Sequence, residues 1–76
     1  MIVSRFLTLV IAMGFKETRI AAGFTQEMVA TALGIRRSTV AMWELGKSMP
    51  RADKLRALAR LYGCAVEALL KGKPSD

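Results

Sequence analysis

Histidine is absent from this 76-residue sequence, and with it go the commonest general base and the commonest metal ligand. There is one cysteine, Cys64. No disulfide can therefore close within the chain, and no cysteine–histidine zinc cluster can form. Acidic residues are also few, six against twelve Lys and Arg, and no carboxylate pair replaces the missing base. Nothing is left for acid–base work, so an enzyme is not expected, nor a metal or a cofactor. A membrane-spanning helix needs about 20 apolar residues; the apolar run at the N-terminus is shorter and holds Arg5. What is present is a 53% hydrophobic, 24% charged composition, which suits a folded domain and not a disordered chain. The length allows one small domain with a marginal core. The net charge of +6 and a pI near 10.3 point to a polyanionic partner, either nucleic acid or an acidic membrane surface.

Residues 1–15 contain a single charge, Arg5. Three readings apply to this stretch. A membrane span is too short here. An export signal fits Arg5, the apolar run Phe6 to Ile11 and the small-residue sequence Ala12-Met13-Gly14. Extra core or a dimer contact is the preferred reading. Ile2, Val3, Val10 and Ile11 leave a strand open beside a helix, and Gly14 marks a break or bend before the next element. Residues 1–14 are therefore expected to form an apolar extension, residues 15–71 the folded domain, and residues 72–76 a frayed tail.

From Phe15 onward the pattern is helical and punctuated by glycine. A helix over 15–22 stops at Gly23. Thr25 suits an N-cap for a second helix over 26–33, with Glu27 in its first turn, and Gly34 ends it. A third helix spans 37–45 and stops at Gly46. Pro50 precedes a fourth over 51–62, ended by Gly63. A short fifth covers 66–71, with Val66, Leu69 and Leu70 as its apolar side, two of them expected in the core and one on a dimer surface.

Residues 25–47 carry the most information. Two short helices joined by a glycine turn can cross steeply only if a small residue stands where they meet. Ala30 fills that place, Gly34 follows four residues later, and Val40 six after that, which is helix-turn-helix spacing. Val29, Leu33, Ile35, Val40 and Trp43 would supply the shared core. Trp43 is thus expected inside and not stacked on a base, and Cys64 is read as a small buried hydrophobe. With Val40 and Trp43 facing in, Arg37, Ser38, Ala41 and Met42 face out. Arg36 and Arg37 stand at the helix start, the part that enters a major groove first. Arginine there can reach guanine O6 and N7, Ser38 can bond a base or a phosphate, and Met42 can pack on a thymine methyl. Residues 34–60 hold seven basic groups and two acidic ones. Among them Lys54, Arg56 and Arg60 are read as solvated surface that contributes long-range field.

These residues together resemble the Cro/CI (Xre-type) helix-turn-helix family of phage and bacterial regulators. The match lies in Arg19, Gly23, Thr25-Gln26, Ala30, Leu33-Gly34-Ile35, Ser38-Thr39-Val40, Trp43-Glu44, Gly46-Lys47, Pro50, Leu55, Leu58-Ala59, Leu61-Tyr62-Gly63 and Leu69. The resemblance implies an all-α, five-helix, lambda-repressor-like domain that binds double-stranded operator DNA, usually as a homodimer on a two-fold site. It places Arg37, Ser38 and Met42 at base-reading positions. It places Gln26, Thr39, Lys47 and Arg51 on or near the DNA backbone, where Arg36 is also expected, and lets Gln26 bond the first recognition residues. It pairs Arg19 with Glu44 in a structural ion pair. Three features depart from the family pattern. Arg36 and Ala65 replace the usual small capping residues, Met42 stands where a polar residue is common, and residues 1–14 have no counterpart.

The leading expectation is a dimeric, cytoplasmic, nucleoid-associated transcriptional regulator, a repressor acting by occupancy. The alternative is an antitoxin-like or other protein-interaction module that keeps the fold and takes a partner through its apolar N-terminus. A membrane-surface peptide would explain the charge but not the glycine and alanine spacing, and no membrane partner is expected.

Overall fold

The computed structural model describes residues 14–71; the expectations for the apolar extension over 1–13 and for the tail over 72–76 lie outside the described residues. Five helices follow one another: α1 over 14–21, α2 over Gln26–Leu33, α3 over Arg37–Leu45, α4 over Ala52–Tyr62 and α5 over Val66–Lys71. Among the described residues there is no strand. No helix among them is long and apolar enough to cross a membrane.

Each helix gives one face to a single core. Phe15, Thr18 and Arg19 are the buried positions of α1 after its first residue, at a spacing of three and four. Val29 and Ala30 enter from α2, Val40 and Trp43 from α3, Leu58 and Ala59 from α4, and Leu69 from α5. Phe24, Leu33, Ile35, Leu55, Leu61, Tyr62, Cys64 and Val66 pack around them, half-buried. Leu58, Leu69, Val29 and Val40 are the largest fully buried side chains, each contributing about 1.5–3 kcal/mol by leaving water. In a domain this small, losing one of them is a large fraction of the total stability.

The helix boundaries follow from local chemistry. The Thr25 side chain accepts the Met28 amide at 3.1 Å and so caps α2. α2 ends where Gly34 takes φ +68°, a conformation that costs a residue with a Cβ dearly. The Ile35 amide then returns to the Ala30 carbonyl at 3.0 Å, and the Gly34 amide to Thr31 at 3.3 Å. This is the Schellman closure, in which the residue after the glycine packs back on its own helix. α1, α3 and α4 close in the same way, through Phe24, Lys47 and Cys64. Ala30 is 3% exposed and stands at the crossing of α2 and α3, as its size requires.

Two details differ from the sequence reading. α4 begins at Ala52, with Arg51 as its N-cap residue. Leu70 is 37% exposed, and Ala68, at 7%, takes the inner position beside Leu69. Ala68 and Leu70 each lie 100° from Leu69 around the helix, so the helical period alone does not choose between them, and the smaller side chain takes the inner place. Cys64 is half-buried against the core; burial pushes its thiol above the usual range, which makes it a poor nucleophile.

Candidate nucleic-acid interface

The inner and outer faces of α3 divide cleanly. Val40 is 1% and Trp43 6% exposed. Arg36, Arg37 and Ser38 are exposed, as is Met42 at 40%, while Ala41 and Thr39 are half-buried along the flanks. The outer face thus presents a guanidinium, a hydroxyl and a thioether along the stripe expected to read bases. Of the residues expected near a DNA backbone, Arg36, Lys47 and Arg51 are exposed and Gln26 is half-buried.

Both basic helix starts lack a side-chain cap. Arg36 is the N-cap residue of α3 and Arg51 that of α4, and neither makes a side-chain capping bond. The N-cap residue of each helix therefore offers a cation and no capping bond; the first turn of α3 holds no acidic residue, while that of α4 also holds Asp53. That arrangement suits a phosphate oxygen far better than it suits an isolated helix. The other end of α3 shows a parallel departure. The residues that follow Gly23, Gly34 and Gly63 are Phe24, Ile35 and Cys64, all packed on the core. The residue that follows Gly46 is Lys47, which is exposed although its amide closes the same bond, to Met42 at 2.9 Å.

The anchor of α3 is the pair of Arg19 and Glu44. Arg19 Nε donates to Glu44 Oε2 at 2.6 Å and Nη2 donates to Oε1 at 3.1 Å. The two side chains are 10% and 5% exposed. Nη1 of the same guanidinium donates to the Phe24 carbonyl at 2.9 Å, tying the turn after α1 into the site. The hydrogen bond to Glu44 raises the Arg19 pKa, against the opposing effect of burial. Tyr62 lies beside this pair, its ring 6.1 Å from that of Phe24. Burial, reinforced by the Glu44 charge, pushes its phenol well above its ordinary value, so the hydroxyl stays protonated.

Gln26 connects this anchor to the reading face. Its Nε2 donates to Glu44 Oε1 at 3.0 Å, and its Oε1 accepts from Arg37 Nη1 at 3.2 Å. The structure therefore brings Arg19, Gln26, Arg37 and Glu44 into one chain of hydrogen bonds. The Arg19–Glu44 pair and the contact of Gln26 with Arg37 were both expected. The bond from Gln26 to Glu44 and the part played by the Phe24 carbonyl were not. No sequence signal marks them, since they join residues 18 and 5 positions apart across different elements.

Comparison with known proteins agrees with this architecture. The helix-turn-helix family model matches residues 15–69. The chain is 28% identical over 58 residues to the HTH-type transcriptional activator BcrR of Enterococcus faecalis, covering 76% of this chain and 28% of that protein. It is 35% identical over 57 residues to an SPbeta prophage-derived uncharacterized HTH-type transcriptional regulator, YonR, of Bacillus subtilis, covering 75% and 53%. It is 35% identical over 54 residues to an uncharacterized HTH-type transcriptional regulator of Archaeoglobus fulgidus, covering 71% and 77%. The chain thus spans about a quarter and about half of the length of the first two. No solved structure gives a significant match.

Proposed function

This chain belongs to the helix-turn-helix family, and from that premise we propose that it regulates transcription by sequence-specific binding to double-stranded DNA, as a homodimer on a two-fold operator. The observation that carries this reading is the division of α3: Val40 and Trp43 are buried while Arg37, Ser38 and Met42 are exposed on the opposite side. Two copies of α3 would enter successive major grooves on one face of the duplex, about 34 Å apart. Arg37 would take guanine O6 and N7, Ser38 a base or phosphate oxygen, and Met42 a thymine methyl. Gln26, Arg36, Thr39, Lys47 and Arg51 would hold phosphates and set the register. The uncapped starts of α3 and α4, each beside an arginine, support that assignment, and so does the net charge of +6.

Occupancy of a promoter by such a dimer excludes polymerase, so repression is the outcome proposed. The relative named as a transcriptional activator favours a second outcome of the same binding, recruitment in place of exclusion. A reporter placed downstream of the selected site separates the two. Binding itself is tested by selecting duplexes from a random pool and repeating the titration over a salt series. A two-fold symmetric consensus is expected, with log affinity falling steeply with log salt. Salt-sensitive binding with no consensus, or no binding at low salt, counts against the reading. The second of these results favours a protein partner.

A further inference from the structure

The amide of the half-buried Gln26 has two chemically different ends and two chemically different neighbours. A glutamine amide is nearly symmetric in shape, so packing alone does not choose between its oxygen and its nitrogen. Here the neighbours choose. Glu44 is an acceptor paired with Arg19 and can only accept a hydrogen bond from Gln26, so it takes Nε2, at 3.0 Å. Arg37 has only donors and can only be met by Oε1, at 3.2 Å. Turning the amide over would set oxygen against carboxylate and N–H against N–H, making both contacts repulsive at once.

We propose that Glu44, which faces the core and not the groove, is a positioning residue for base recognition: by holding the Gln26 nitrogen it presents the Gln26 oxygen to Arg37 and so orients the guanidinium that reads the base. This rests on the proposed reading of α3 as a DNA-contacting helix. A guanidinium held by one Nη1 hydrogen keeps its Nε and Nη2 edge for guanine, in the paired geometry that arginine uses. It also loses less side-chain freedom on binding than a free arginine would. An exposed bond of 3.2 Å contributes little to folding by itself. Its consequence lies in which direction Arg37 faces when the groove closes around it. The same geometry limits Gln26. One of its N–H groups and its oxygen are engaged, so a phosphate would meet the remaining N–H and not the oxygen.

The test uses the full chain and duplexes selected from a random pool. The base pair read by Arg37 is identified as the one whose preference disappears in Arg37→Ala. Discrimination at that pair, meaning the affinity ratio of the selected base pair to the others, is then measured for three variants. Gln26→Met keeps the length of the side chain and removes both bonds. Glu44→Gln lets position 44 donate to position 26, which favours the reversed amide. The double change Gln26→Glu with Glu44→Gln restores an acceptor facing Arg37 and a donor facing it from position 44. Discrimination is expected to fall about five- to tenfold in both single variants, the scale of one ordered side chain, with other base positions unaffected, and to return in the double variant. The double variant and Glu44→Gln lack the Arg19–Glu44 ion pair equally, so a purely structural role of Glu44 predicts no such return. Both are expected to bind every duplex more weakly or unfold more readily, which is why the ratio is the readout. Should Glu44→Gln fail to fold, Gln26→Met, at a half-buried surface position, still decides. Unchanged discrimination in Gln26→Met overturns the proposal while leaving DNA binding intact. Failure of the wild-type chain to enrich any duplex overturns the DNA reading and this proposal with it.

Discussion

The two helices α2 and α3, of 8 and 9 residues, share a backbone plan, yet they treat their ends in opposite ways. α2 begins with a threonine that caps it and ends on Gly34 followed by Ile35, which packs on the core. α3 begins with Arg36, which makes no capping bond, and ends on Gly46 followed by Lys47, which is exposed. The glycine closures are the same in both. Thus α2 spends its end residues on stability, whereas α3 gives both of its ends to cations. α3 can do so because it is held from its middle and last turn, by Val40 and Trp43 in the core and by Glu44 on Arg19. A helix whose flanking side chains, Arg36 and Lys47, do not contribute to the fold is free to offer them to a ligand.

Removing that anchor should have the largest effect. Glu44→Ala would leave the Arg19 guanidinium buried without its partner, a loss of about 3–5 kcal/mol. Thermal or urea denaturation should show a chain near its folding threshold. A loss below about 1 kcal/mol would mean that α3 does not depend on this anchor. The next effect is on binding alone. Arg37→Ala should cost about 1–3 kcal/mol of discrimination at one base pair, measured by competition between duplexes, with the melting temperature little changed. Equal losses on operator and random DNA would assign Arg37 to phosphate instead.

Converting the ends of α3 to the style of α2 sharpens the comparison. Arg36→Ser supplies the missing cap and should stabilise the fold by about 0.5–2 kcal/mol. It should also reduce the slope of log affinity against log salt by about 1. Stability and binding would then move in opposite directions, the signature of an end kept open for DNA. Lys47→Ala should reduce the salt slope by a similar amount with a stability change within about 0.5 kcal/mol, because nothing in the fold leans on that side chain.

The smallest effect is a pH dependence at the base of the core. Burial raises the pKa of both Cys64 and Tyr62 above their ordinary values of 9.0 and 10.0. A group whose folded pKa is raised favours the folded state below its unfolded value and stops doing so as pH rises through the folded one. Stability should therefore be flat up to about pH 9 and decline above it, as ionisation of these groups in the unfolded chain pulls the equilibrium. In Tyr62→Phe the decline should be shallower. A stability curve unchanged by that substitution would show that Tyr62 is more solvated than its packing beside Phe24 implies.

Much of the fold was legible because it is written in short-range chemistry. Thr25 can cap α2 because its hydroxyl lies three residues from the amide it accepts. The glycines at 23, 34, 46 and 63 take positive φ where a helical period runs out, and a period of 3.6 separates Val40 and Trp43 from Arg37, Ser38 and Met42. The fifth helix was less legible. Two turns admit several choices of buried face, and the choice of Ala68 over Leu70 depends on how closely α5 can approach its neighbours.

The site divides in the same way. Sequence by itself determined that a basic, outward-facing stripe would lie on a short helix behind a glycine turn, because charge and helical period are properties of neighbouring residues. The pairing of Arg19 with Glu44, 25 positions apart, was visible only through family resemblance. The tertiary structure alone decided that the Gln26 amide bridges Glu44 and Arg37, with its oxygen toward the reading face. Such a bridge requires α2 and α3 to bring three side chains within hydrogen-bonding distance. That distance is set by the crossing of helices packed on Ala30, Val40 and Trp43, and no local rule of the chain contains it.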